Sequence, residues 1–132
     1  MQVKRWLVSL ALGSVFLYSF KTIYNYFGHG VTSEALDSIW CWPLILIVFL
    51  LVIRTGKPAI IKTHRMRNCS SCYLLAVISI VIGRALTGIF EIAGTSSEYV
   101  RIYYWAAIVF IFLGSFHFIA AMRAQSLKQS NT

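Results

Sequence analysis

Acidic side chains are scarce in this chain: its 132 residues hold four, Glu34, Asp37, Glu91 and Glu98. Charged residues make up 12% of it, about half of the roughly 25% usual in a soluble domain. Too few polar groups are present to cover a water-soluble globule of this size, and the charges are missing from long stretches rather than thinly spread. Cysteine is limited to Cys41, Cys69 and Cys72, which excludes a disulfide scaffold and leaves no second pair for a four-ligand zinc site. Proline is limited to Pro43 and Pro58, so long helices can run unbroken. The polar–apolar alternation of a membrane β-barrel is absent. So are a Gly-rich phosphate loop, H-E-x-x-H, G-x-S-x-G and paired membrane carboxylates. No cofactor and no catalytic residue is expected, and the balance of features leans away from an enzyme.

What the chain does have is four continuous apolar runs. The spacing predicts helices over about 6–24, 36–53, 72–90 and 102–122, in one membrane domain covering 1–132. The fold class expected is all-α: a polytopic membrane protein with four transmembrane helices in an antiparallel up-down bundle. The first run follows Lys4 and Arg5 as a signal peptide would. No small-residue cleavage pattern follows it, so it reads as a retained helix. That run also contains no acid, leaving no carboxylate there for proton coupling. The second run, counted from Ile39 to Ile53, rises about 22 Å and must extend toward Leu36 to cross a core of roughly 30 Å. The polar tail 123–132 is expected to fray.

Charge sets the sidedness. Lys4, Arg5, Arg54, Lys57, Lys62, Arg65, Arg67, Arg123 and Lys128 fall in the N-terminus, the 54–71 loop and the C-terminus, with no acid among them. The opposite loops and helix ends carry Lys21 and Arg101 against all four acids. Basic loops stay in the cytoplasm, which predicts N-in/C-in and, in a bacterial host, the cytoplasmic (inner) membrane. Tyr24, Tyr26, Trp40, Trp42, Tyr103, Tyr104 and Trp105 gather at the outer boundary, where amphipathic rings favour the headgroup level. The net charge of +8 flanks apolar segments, so it reads as contact with anionic lipid at the cytoplasmic face and not as a nucleic-acid surface. Arg54, Lys57, Lys62, Arg65 and Arg67 are the headgroup contacts expected, with Ile60 and Ile61 dipping into the interface.

Small residues mark where helices approach in lipid. Ser9 and Gly13 do so on the first span. Ser79, Gly83 and Thr87 do so on the third, and Ala107, Gly114 and Ala121 on the fourth. The second span has no such stripe, which predicts that it is the most lipid-exposed or lies at an oligomer contact.

Arg84 is the most informative residue. It lies about 18 Å from the inner end of its helix and about 10 Å from the outer end. An intramembrane Arg costs about 2.5–3.5 kcal/mol on insertion scales and should face the bundle interior with a partner. Glu91, two turns on at almost the same angle, is the partner expected; Glu34 and Asp37 are alternatives. Functionally, the guanidinium fork suits an anionic or carbonyl-bearing ligand such as a lipid phosphate or quinone oxygen. Structurally, it is simply satisfied in place. His117 adds a possible ligand or relay group, or a packed, hydrogen-bonded side chain. Cys69 and Cys72 form Cys-Ser-Ser-Cys, with His64 as a third redox or metal candidate; on a reducing side they read as two thiols. Lys21 is expected to snorkel to the outer interface, with no assigned role.

The functional expectation is a small, non-enzymatic lipid- or amphiphile-binding or accessory membrane protein, with a polar site around Arg84, Glu91 and His117. The alternatives are a transporter or channel-like homo-oligomer, and a thiol redox or metal-handling protein using Cys69 and Cys72.

Overall fold

The structure, a computed structural model, describes residues 3–28, 31–56 and 58–130. His29 and Lys57 lie outside the described residues. All regular structure among the described residues is helical: α1 Val3–Phe27, α2 Glu34–Asp37, α3 Cys41–Gly56, α4 Pro58–Ile61, α5 His64–Ile92 and α6 Arg101–Ser130, with a 3-10 turn at Glu98–Val100 leading into α6. Four stretches are long and apolar enough to cross a membrane: Lys4–Phe27, Glu34–Gly56, His64–Ile92 and Glu98–Ala124.

The second of these stretches is built from α2 and α3 with a break between them. Pro43, the third residue of α3, explains where the break falls. Its ring crowds the carbonyl of Ile39 four residues back, and it has no N–H to bond there. The backbone tightens instead into three-residue turns, with Ile39 N–H donating to Leu36 (3.4 Å) and Cys41 N–H to Ser38 (3.2 Å).

Two helices outrun their apolar segments. α5 begins at His64 and not at 72, with the Thr63 carbonyl accepting from Met66 (3.1 Å) and Arg67 (3.2 Å). α6 continues through the segment expected to fray, as far as Ser130. Hydropathy marks the lipid-facing part of a helix, whereas the backbone ladder continues through any run of helix-tolerant residues. The segment 54–71 is accordingly mostly helical: the end of α3, all of α4 and the first two turns of α5.

Packing places the second span differently from the sequence expectation. A third (33%) of its apolar window is buried, the largest share of the four, while the first span has 11%. Leu46, Leu50 and Ile53 recur at helical spacing and are buried in the core with Leu10, Met66 and Cys69. The lack of small residues on α3 is answered by the short side chains of Cys69 and Ala121 opposite. Ile60 and Ile61 are also corrected: both are buried in that core. α4 is a single turn that folds its two isoleucines under the bundle, where they lose more apolar exposure than at an interface.

α5 and α6 form the closest pair. A Cβ on Gly83 would stand 3.2 Å from Tyr103 Cβ, and one on Gly114 would stand 3.2 Å from the Tyr73 ring. Two hydroxyl pairs bridge the same helices, Thr87 with Tyr104 (3.2 Å) and Tyr73 with Ser115 (3.0 Å). The expected small-residue stripes of the third and fourth spans are used. That of the first is not: Ser9 is exposed and nothing lies within 4 Å of a Cβ on Gly13. α1 instead packs on α3 through its Leu10 face.

Candidate functional site

The polar residues at the acid-bearing end of the bundle converge on α2, one helical turn. Ser33 caps it: its Oγ accepts from Leu36 N–H (3.3 Å) and donates to the Glu91 carboxylate. At the other end of α2, Arg84 Nε donates to Ser38 Oγ (2.8 Å), and a terminal N–H of Arg84 donates to the Glu34 carbonyl (3.4 Å). Between these two clamps, Leu36 lies directly over Gly88, where an added Cβ would stand 2.7 Å from Leu36 Cβ and 3.0 Å from its backbone nitrogen. Arg84, Gly88 and Glu91 recur at i, i+4 and i+7, which is one face of α5. Carboxylate at the N-terminal end of α2 and guanidinium at its C-terminal end also match the partial charges of the turn.

The third side of α2 faces α1. Asp37 accepts from Asn25 Nδ2 (2.9 Å) and pairs with Lys21 Nζ (3.1 Å). Lys21, to which the sequence assigned no role, thus has an acidic partner on α2, and its ammonium also lies 5.7 Å from the centre of the Tyr18 ring. Tyr18 meets Trp40 edge-on, with ring centres 5.9 Å apart.

The expected Arg84–Glu91 contact is replaced by two separate contacts to α2. Among the described residues the ion pairs are Lys21–Asp37 and Glu98–Arg101. The reason is reach: two turns of α5 separate the groups by about 10 Å, and α2 fills that gap. Arg84 is half-buried. It spends two of its five N–H donors on α2, and the planar fork has three more for an oxygen ligand.

His117 is not brought to this site. Gly83 sits against Tyr103 and Tyr73 against Gly114, which sets His117 level with the first turns of α5. That is about fourteen residues, roughly 21 Å, from Arg84 along the axis. Its ring is half-buried and meets Phe116 edge-on at 6.0 Å.

Cys69 and Cys72 lie inside α5, beyond its first turn. Both are free thiols; Cys69 is fully buried and Cys72 half-buried. His64 turns to Arg67, with 2.6 Å between Nε2 and a terminal guanidinium nitrogen. Among the described residues no group of three or more His, Cys, Asp or Glu could hold a metal ion. At the same end Arg54, Lys62, Arg65 and Arg67 are all exposed, and an Arg65 N–H donates to the Ala120 carbonyl (3.0 Å).

Sequence reasoning missed Ser33, Ser38, Gly88, Lys21 and Asn25. One signal was available: Ser33 followed by Glu34, a capping residue before an acid, marks a helix start. Long-range placement of α2 over Gly88 carries no local signal. No family model matches the chain, and neither a curated protein nor a solved structure matches it.

Proposed function

We propose that this chain is a multi-pass membrane protein, an antiparallel up-down bundle of four spans with both ends in the cytoplasm. It acts without catalysis, binding an anionic or carbonyl-bearing amphiphile at Arg84 beside α2. The observation that carries the ligand reading is the guanidinium itself. It is half-buried within a span, held by Ser38 and the Glu34 carbonyl, and has donors to spare. Fixing a guanidinium in place lowers the entropy lost when it binds a second oxygen. The test is native mass spectrometry from mild detergent, comparing the wild type with Arg84→Gln, which can still bond Ser38. The expected result is a co-purifying lipid or quinone in the wild type that Arg84→Gln loses without a large change in melting temperature. A bare wild type, or adducts unchanged in mass and number in Arg84→Gln, would reduce Arg84 to a clamp for α2.

A second reading, an accessory or homo-oligomeric role, is favoured by α1. Its span is the least buried of the four, Ser9 is exposed, and nothing lies within 4 Å of a Cβ on Gly13. Disulfide trapping through Gly13→Cys tests it, with a crosslinked pair expected. Exclusively monomeric protein under oxidation would remove this reading.

A further inference from the structure

The inner half of α6 carries a groove that the Arg84 site does not involve. It has a volume of about 570 Å³ and includes Phe116, Ile119, Ala120, Leu127, Arg65 and Arg123 in its lining. Phe116, Ala120, Arg123 and Leu127 recur at i, i+4, i+7 and i+11, one continuous stripe of the helix. Arg65 comes from the first turn of α5, and its bond to the Ala120 carbonyl holds the guanidinium against that stripe. The second cation, Arg123, lies one helical turn from Ala120, at the end of the apolar run. No acid lines the groove, and all four acids of the chain belong to the opposite end of the bundle.

We infer that this groove is a stoichiometric site for one anionic phospholipid. The lipid phosphate sits between Arg65 and Arg123, and an acyl chain lies along Phe116 and Ile119. The chemistry at each level fits that occupant. Phe116 and Ile119 are large, exposed apolar side chains on the membrane side of Arg123 (69% and 52% exposed), which is where hydrocarbon lies. The two guanidiniums sit where apolar sequence gives way to polar, which is where the headgroup phosphates lie. Arg65 spends one N–H on Ala120 and keeps four for phosphate oxygens, a geometry that favours bidentate contact. The diffuse basic character of this end would attract any anionic leaflet. The groove adds a fixed position, a one-to-one ratio and a requirement for an acyl chain. The inference rests on the proposed sidedness only in drawing the lipid from the inner leaflet; detergent removes that dependence from the test.

The experiment is native mass spectrometry of the full chain in mild detergent, titrated separately with phosphatidylglycerol and phosphatidylcholine of identical chains. One phosphatidylglycerol should be retained with about 30-fold preference over phosphatidylcholine, as two cations at a headgroup imply. Arg123→Gln, at an exposed residue outside the core, should cut that preference to about 5-fold, and Arg65→Gln with Arg123→Gln should remove it. Arg54→Gln with Arg67→Gln should leave it unchanged, since neither lines the groove. Equal loss in that control, or no headgroup preference in the wild type, would overturn the site in favour of diffuse attraction. Displacement of the lipid by glycerol phosphate at matching concentration would also overturn it, because the apolar half would then contribute nothing.

Discussion

At the scale of single residues, two glycines show how position decides the effect of one methyl group. Gly88 and Gly13 are both helical, and replacing glycine by alanine in a helix is worth up to about 1 kcal/mol from backbone entropy alone. At Gly13 nothing opposes that gain, because nothing lies within 4 Å of the new Cβ. At Gly88 the new Cβ meets Leu36 Cβ at 2.7 Å and its backbone nitrogen at 3.0 Å. Neither is the flexible end of a side chain, so α2 itself must move. Overpacking of this kind costs about 1–3 kcal/mol, which exceeds the entropic gain. Gly88→Ala is therefore expected to lower the melting temperature in detergent, and Gly13→Ala to raise it slightly or leave it alone. A more stable Gly88→Ala protein would mean that α2 does not rest on α5 as described. The sequence could place Arg84, Glu91, Lys21 and Asp37 toward one end of the bundle, but the pairing it suggested, Arg84 with Glu91, is not the one that forms. Pairing depends on where one turn of four residues docks, and that docking is set by a missing side chain on a helix more than fifty residues away.

At the scale of elements, the four helices long and apolar enough to cross a membrane were legible because length and composition of an apolar run are read directly from the sequence. The packing of α5 on α6 was legible in part, through Gly83 and Gly114, since small residues are what permit close approach in lipid. The same rule misplaced α3 and gave α1 an interface that it does not form within the chain. A small residue permits an approach without requiring one, and bulky Leu46 and Leu50 can enter a core whose opposite face is small. A pair of leucine substitutions separates the two cases. Gly114→Leu inserts a four-carbon side chain where the Tyr73 ring already lies within van der Waals reach of a Cβ. It should part α5 from α6 and break the Tyr73–Ser115 bond, at a cost of several kcal/mol by the overpacking rule. Gly13→Leu points into open space and should leave the monomer's melting curve within a degree or two of wild type. If Gly13→Leu alters the oligomeric state instead, α1 is the lateral contact of the second functional reading. Thermal melts paired with size-exclusion light scattering read both outcomes together.

At the scale of the whole molecule, the surface is what a bilayer would cover. Phe16, Phe112 and Phe116 are each more than two-thirds exposed, and such side chains ring all the spans, far beyond the patch area tolerated on a soluble monomer. The polar groups divide cleanly between the two ends: the α2 cluster with its acids at one, the arginines of α5 and α6 at the other. That division is the physical content of the sidedness reading, because basic segments resist translocation and acidic ones contribute little. It gives a definite expectation for single cysteines introduced into a background lacking Cys41, Cys69 and Cys72. Ser96→Cys lies in the turn after α5, on the acidic side, and should react with a membrane-impermeant maleimide in intact cells. Lys62→Cys lies in the turn between α4 and α5 and is exposed, so burial cannot protect it. It should stay unlabelled until the membrane is permeabilised, then react fully. The reverse pattern would put the basic end outside. The groove of Arg65 and Arg123 would then face the outer leaflet, and Cys69 and Cys72 would lie on the oxidising side. Labelling of both sites in intact cells would mean a mixed orientation, which nine basic residues on one side against two on the other should not allow.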